Sequence, residues 1–126
     1  MKLQPDRFDA LSVQAHGPGW VAAGGQRYTE SVALSSGGQV LNWPCKSIEE
    51  AQPEHFQTLL QYKPEVVVFG SGNKLRFLKP AVLRPLIDAG VGVETMDTQA
   101  AARTFNILAG EGRRVVAALI IDPETA

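Results

Sequence analysis

A chain of 126 residues, 44% hydrophobic and 20% charged, is long enough to bury a core without disulfides or a structural metal, and one domain over residues 1–126 is expected. Its 12 basic and 13 acidic side chains leave a formal net charge of -1. That balance argues against nucleic acid or an anionic membrane as partner, since both normally need a concentrated basic surface, although a local basic patch is compatible with it.

The opening residues, MKLQPDRF, lack the apolar run of a secretion signal, and no stretch approaches the length of a membrane helix. A cytoplasmic protein without membrane insertion is expected. Residues 1–18 read as extended chain and turn, including Asp6, Arg7 and the segment His16-Gly17-Pro18-Gly19. Trp20 to Ala23 form a short strand before the Gly24-Gly25 turn, and Tyr28 begins the next element. Ser31–Leu34 and Val40–Asn42, separated by Ser35-Ser36-Gly37-Gly38, have the pattern of a β-hairpin. Trp43-Pro44 ends this antiparallel front layer.

From Ile48 to Tyr62 the pattern turns helical, with Pro53 in a first turn and Phe56, Leu59 and Leu60 on one face. Pro64 closes it. Val66, Val67, Val68 and Phe69 then run without polar alternation, as a strand covered on both faces does, and are expected to be the central strand. After the polar turn that follows, Leu75, Phe77 and Leu78 are expected to pack inward and lead into a helix near Pro80–Ala89, delayed or distorted by Pro85. Gly90 caps that helix. Val91 to Glu94 form a second short buried strand. Asp97 or Thr98 caps a helix over about Gln99–Ala109, whose inward face carries Ala101, Phe105 and Leu108 and a different face Arg103 and Asn106. The Gly110-Glu111-Gly112 stop precedes a last apolar strand, Val115–Ile121.

Helices alternating with apolar strands from Ile48 onward favour parallel neighbours joined by right-handed crossovers. The fold expected is α/β: three layers around a mixed sheet, with a βαβαβ-like C-terminal part, packed helices and an N-terminal antiparallel layer or hairpin. That hairpin either extends the sheet at an edge or covers one side of it.

The candidate site is the turn Gly70-Ser71-Gly72-Asn73-Lys74-Leu75-Arg76 at the carboxyl end of the first parallel strand, where open α/β sheets bind ligands. Backbone donors of a glycine turn can hold an oxyanion, and Lys74 or Arg76 adds charge. The turn has neither GxxxxGK[ST] nor GxGxxG, since Leu75 stands at the third glycine position, so no nucleotide is assigned. The competing reading is a structural turn whose cations pair internally or face water. Glu94, at the end of the next parallel strand, joins this set as an acid or base, with Arg103 and Asn106 reachable from the following helix. Alternatively Glu94 forms an ion pair with Arg76 or Arg103 that fixes the loops.

Other chemistry is weakly supported. Cys45 has Lys46 adjacent and His55 within ten residues, but adjacency supplies no geometry for an activated thiolate. His16 and His55 fit no metal spacing, and Ser71 lies in FGSGN rather than GxSxG. No cofactor and no metal follow. Trp20, Tyr28, Trp43 and Phe77 are core or partner-surface aromatics, with Phe77 assigned to the core and Trp43 left open.

YTESVALSSGGQVLNW at 28–43, FGSGNKLRFLKP at 69–80 and GVGVETMDTQAAARTFNILAGEGRRVVAALI at 90–120 resemble the small α/β domain family that includes human mitochondrial complex I assembly factor 3 and the adipogenesis-associated domain-containing protein, together with many uncharacterised bacterial and archaeal proteins. The resemblance implies a compact three-layer domain with a polar crevice, and carries Gly70, Gly72, Arg76, Glu94, Arg103 and Asn106 forward as crevice residues. Eukaryotic relatives act in assembly or regulation through protein partners. Without a mitochondrial targeting extension, this chain reads as bacterial. A non-catalytic interaction or assembly domain with an unidentified protein partner, monomeric or weakly dimeric, is therefore expected. The alternative is a binding protein or enzyme for a small anionic metabolite, Arg76 binding the anion and Glu94 acting as acid or base.

Overall fold

The structure, a computed structural model, describes residues 11–122. Asp6 and Arg7 lie outside that range. The first three strands, β1 (Val13–Gly17), β2 (Trp20–Ala23) and β3 (Gln26–Tyr28), form a separate antiparallel sheet in that order. His16 and Gly17 thus belong to a strand rather than a turn, and Tyr28 ends an element rather than beginning one. Both differences arise because Pro18-Gly19 and Gly24-Gly25 make tight turns that let strands run up to their edges.

β4 (Val32–Ser35) and β5 (Val40–Asn42) form the expected hairpin. With β6 (Val66–Gly70), β7 (Gly92–Met96) and β8 (Val115–Leu119) they build a mixed sheet of order β5-β4-β8-β6-β7. β6 is parallel to both β7 and β8, whereas β4 is antiparallel to β8. Of the two fates allowed for the hairpin, extension at an edge is the one observed: β4 and β5 join the main sheet, while β1 to β3, a separate sheet, pack against one face of it. The middle strand is β8 and not β6, because the chain returns from the edge strand β7 to insert its last strand between β6 and β4.

Strand alternation divides the interior into two cores. Val66 and Val68 of β6, with Val115, Ala117 and Leu119 of β8, face the small sheet and α3 (Thr98–Gly110). Val67, Phe69, Val116 and Ala118 face the opposite layer, built from α1 (Pro53–Gln57), α2 (Pro80–Asp88) and the segments flanking α1. Covering on both sides explains why these strands read as continuous apolar runs. Among the described residues β7 has one neighbouring strand; Gly92 and Glu94 are exposed and Val93 half-buried, so the expectation of a buried strand there is corrected.

The expected Ile48–Tyr62 helix is broken into a 3-10 turn at Ile48–Glu50, the five-residue α1, and a second 3-10 segment at Thr58–Tyr62. Pro53 causes the first break: it donates no amide bond, and it holds Gln52 extended at φ -128°, ψ 156°. α2 also opens on a proline, Pro80, and contains Pro85, which forgoes the amide bond to Ala81. Gly90 follows it as expected, with Val91 N donating to Leu86 O at 2.9 Å. Asp97 caps α3, its carboxylate accepting from Ala100 N at 2.9 Å.

The α1/α2 side is anchored by an aromatic trio. Phe69 meets Trp43 and Phe56 edge-on, with centroids 6.2 and 5.7 Å apart. Trp43 is thereby a core residue, its Nε1 donating to His55 O at 2.9 Å. Phe69→Ala is expected to lower unfolding free energy by about 3–5 kcal/mol in urea denaturation. Val40→Ala, at an exposed sheet edge, should stay within about 0.5 kcal/mol of wild type.

Candidate functional site

Strand order reverses at β6: the chain crosses from β6 through α2 to β7 on one face, then returns through α3 to β8 on the other. Crevices of this kind, outside the carboxyl ends of the strands at a switch point, are where α/β sheets usually receive ligands. Here the crevice lies between the ends of β6 and β8, and the glycine turn occupies it.

The chain's own groups take up the amides of Ser71, Gly72, Asn73 and Arg76. Ser71 N donates to Met96 O at 2.9 Å. Gly72 N donates to Thr98 Oγ1 at 2.8 Å, and Thr98 Oγ1 in turn donates to Ile120 O at 2.6 Å. Asn73 N donates to the Asp122 carboxylate at 2.9 Å. Buried Ser71 accepts from Arg76 N at 3.0 Å and donates to Lys74 O at 2.7 Å, closing the loop on itself. The glycines serve closeness. A Cβ on Gly70 would lie 2.9 Å from Thr98 Cα, and one on Gly72, at φ 109°, would collide with the Asp122 carboxylate.

The eight residues anticipated from sequence do not form one cluster. Gly70, Ser71 and Gly72 are in the closed turn, and Lys74 is exposed beyond it. Arg76 reaches the α1/α2 face, where Nη1 contacts Glu49 Oε2 at 2.7 Å. Its own backbone amide first and Arg76 second hold the Glu49 carboxyl below the usual range. Glu94 pairs in register with Val68, so it projects on the α3 side. It is exposed and makes no ion pair among the described residues. Arg103 is exposed on α3. Asn106 binds the backbone of β1 at both ends, its Oδ1 accepting from Val13 N and its Nδ2 donating to Val13 O, each at 2.8 Å. Arg76 and Glu94 are thus on opposite faces of the sheet.

Beyond the turn, residues 75–79 alternate outward and inward. Leu75 and Phe77 are 53% and 73% exposed, whereas Leu78 packs against the α1/α2 core. The inward packing expected of Leu75 and Phe77 is corrected: the loop runs as an extended ribbon, and only alternate side chains meet the body of the protein. A groove of about 550 Å³ opens beside it, with apolar lining from Ile48, Leu78 and Val82 and charged lining from Glu49, Arg76 and Lys79; Phe77 borders it as well.

Cys45 is fully buried, and burial first, then the nearby Glu50 charge, push its thiol from 9.0 up to about 11. Such a thiol is a packing group at neutral pH. Among the described residues no cluster of His, Cys, Asp and Glu could hold a metal ion.

Neither Thr98 nor Asp122 was assigned to the site from sequence; Thr98 entered only as a candidate helix cap. The signal was available in outline: if β6 and β8 are parallel neighbours, the residues after β8 must lie near the turn after β6. Thr98→Val removes the acceptor for Gly72 N and the donor to Ile120 O, and is expected to cost about 2–4 kcal/mol in chemical denaturation. Thr98→Ser retains both bonds and should recover most of that loss.

The chain is similar to several known proteins. A mouse protein, NADH dehydrogenase (ubiquinone) 1 alpha subcomplex assembly factor 3, is 42% identical over 90 residues, covering 69% of this chain and 49% of its own length. The chain spans about half the length of the mouse, bovine and rat relatives it matches. A crystal structure from Bordetella parapertussis superposes with a TM-score of 0.85 at 41% identity, covering 90% of this chain and 97% of that one. A solution structure from Bordetella pertussis, described as a Mth938-like domain, gives 0.81 at 34% identity, covering 99% and 95%. A family profile matches residues 13–120, from β1 through β8, and the chain belongs to that family, the proteins of unknown function DUF498/DUF598.

Proposed function

We propose that the chain is a non-catalytic protein-interaction domain whose work is to hold a partner protein during assembly. The observation that carries this reading is an aromatic side chain left 73% exposed, Phe77, beside a groove of about 550 Å³ that also holds a cation, Arg76. Large exposed aromatics and arginines are what partner surfaces are enriched in. The assembly-factor name of the mouse relative is consistent with it. The separation of Arg76 from Glu94 across the sheet favours this reading over joint catalysis by the two. The amides of the glycine turn, taken up by Thr98, Met96 and Asp122, offer a small anion little.

The test is native capture from cell extract by wild type, Arg76→Ala and Glu94→Ala, with retained proteins and small molecules both identified. A defined protein should be retained by wild type, reduced on the order of tenfold by Arg76→Ala and unchanged by Glu94→Ala. Retention of an anionic metabolite with no protein, lost in Arg76→Ala, would overturn the reading.

A further inference from the structure

Between Glu65 and Asp88 the chain carries Lys74, Arg76, Lys79 and Arg84 and no acidic residue. In a protein of formal net charge -1 this is a local basic stretch, and it includes the two outward apolar side chains Leu75 and Phe77. One carboxylate, Glu49 of the 3-10 turn at Ile48–Glu50, also lines the groove. The side chains of the Arg76–Glu49 pair are 40% and 70% exposed, so water screens the pair and little holds it shut. Only Nη1 of the guanidinium is engaged among the described residues, which leaves the rest of a fork suited to bidentate carboxylate contact.

We infer that the groove takes a segment of a partner protein presenting an apolar side chain next to a carboxylate, with the apolar group against Phe77 and Leu78 and the carboxylate displacing Glu49 on Arg76. This rests on the protein-interaction reading above and adds the partner's chemistry. The charge pattern selects that occupant. A basic stretch alone would suit an anionic lipid surface as well, but the Glu49 carboxylate at the groove would repel a uniformly negative plane. A peptide brings its carboxylate to one point. Apolar contact without a carboxylate would leave the cationic rim unused.

A random linear-peptide library is selected on immobilised full-length protein, and the enriched peptides are synthesised with a fluorescent label and titrated by anisotropy. Enriched peptides should place Asp or Glu beside Leu, Phe or Trp. Binding should weaken about tenfold in Phe77→Ala and more in Arg76→Glu. It should strengthen in Glu49→Gln, which frees Arg76 and which a merely structural role would not produce. Phe77 is exposed, so its truncation leaves the fold intact, as circular dichroism will verify. Peptides rich in Lys or Arg, peptides indifferent to Phe77→Ala, or no enrichment would each overturn the inference. Peptides binding elsewhere would leave the protein-interaction reading standing. Phe77-dependent retention on phosphatidylglycerol vesicles, with no peptide enriched, would overturn both.

Discussion

The hydroxyl of Thr98 ties three parts of the chain together at one point: it accepts from the turn after β6, donates to the segment after β8, and belongs to the first turn of α3. Residues 70 to 72 can approach α3 this closely only because two of them are glycines, and Asp122 completes the closure by accepting from Asn73. The crevice that a reversal of strand order opens in an α/β sheet is in this way filled from within, by a hydroxyl and a carboxylate where other folds admit a phosphate. A buried hydroxyl with both partners satisfied contributes stability and definition together, since loss of either bond strands a polar group.

Closure at the switch point displaces the useful surface sideways. The loop that leaves the turn has Ser71 as its internal staple, and from Leu75 it runs as a ribbon with alternating side chains. Arg76 and Leu78 turn toward the α1/α2 layer, and Leu75 and Phe77 turn to solvent. The pleat of the sheet sends Glu94 to the other face. Arg76 and Phe77, neighbours in the ribbon, both border the groove, and the Glu94 carboxylate stands on the other face of the sheet. The interaction reading and the partner chemistry proposed for the groove both follow from this placement.

Much of the architecture was legible in the residues. Unbroken apolar runs at 66–69 and 115–121 marked strands covered on both faces, and the caps at Asp97 and Gly90 were recognisable by residue type. What escaped was set by tertiary context. Nothing local to VVVF distinguishes a strand beside the middle from the middle strand, because both are buried twice. The stretch Val91–Val93 that leads into β7 resembles an interior strand, and only pairing reveals β7 as an edge. Of the candidate site, the turn itself was visible as a glycine-rich polar stretch. Its saturation by Thr98 and Asp122 depends on contacts across 26 and 49 residues of sequence, which periodicity does not encode. Phe77 was assigned inward because it is apolar, yet an extended loop buries only alternate residues.

The claim most open to direct test is that the glycine turn is closed to anions by the chain's own groups. Amide resonances of Gly72 and Asn73 followed by two-dimensional NMR during titration with inorganic phosphate report on it without reference to any partner. The account predicts that neither amide shifts saturably in the wild-type protein. A saturable shift of both, with phosphate displacing the Asp122 carboxylate, would contradict it and return the switch-point crevice to the status of a ligand site.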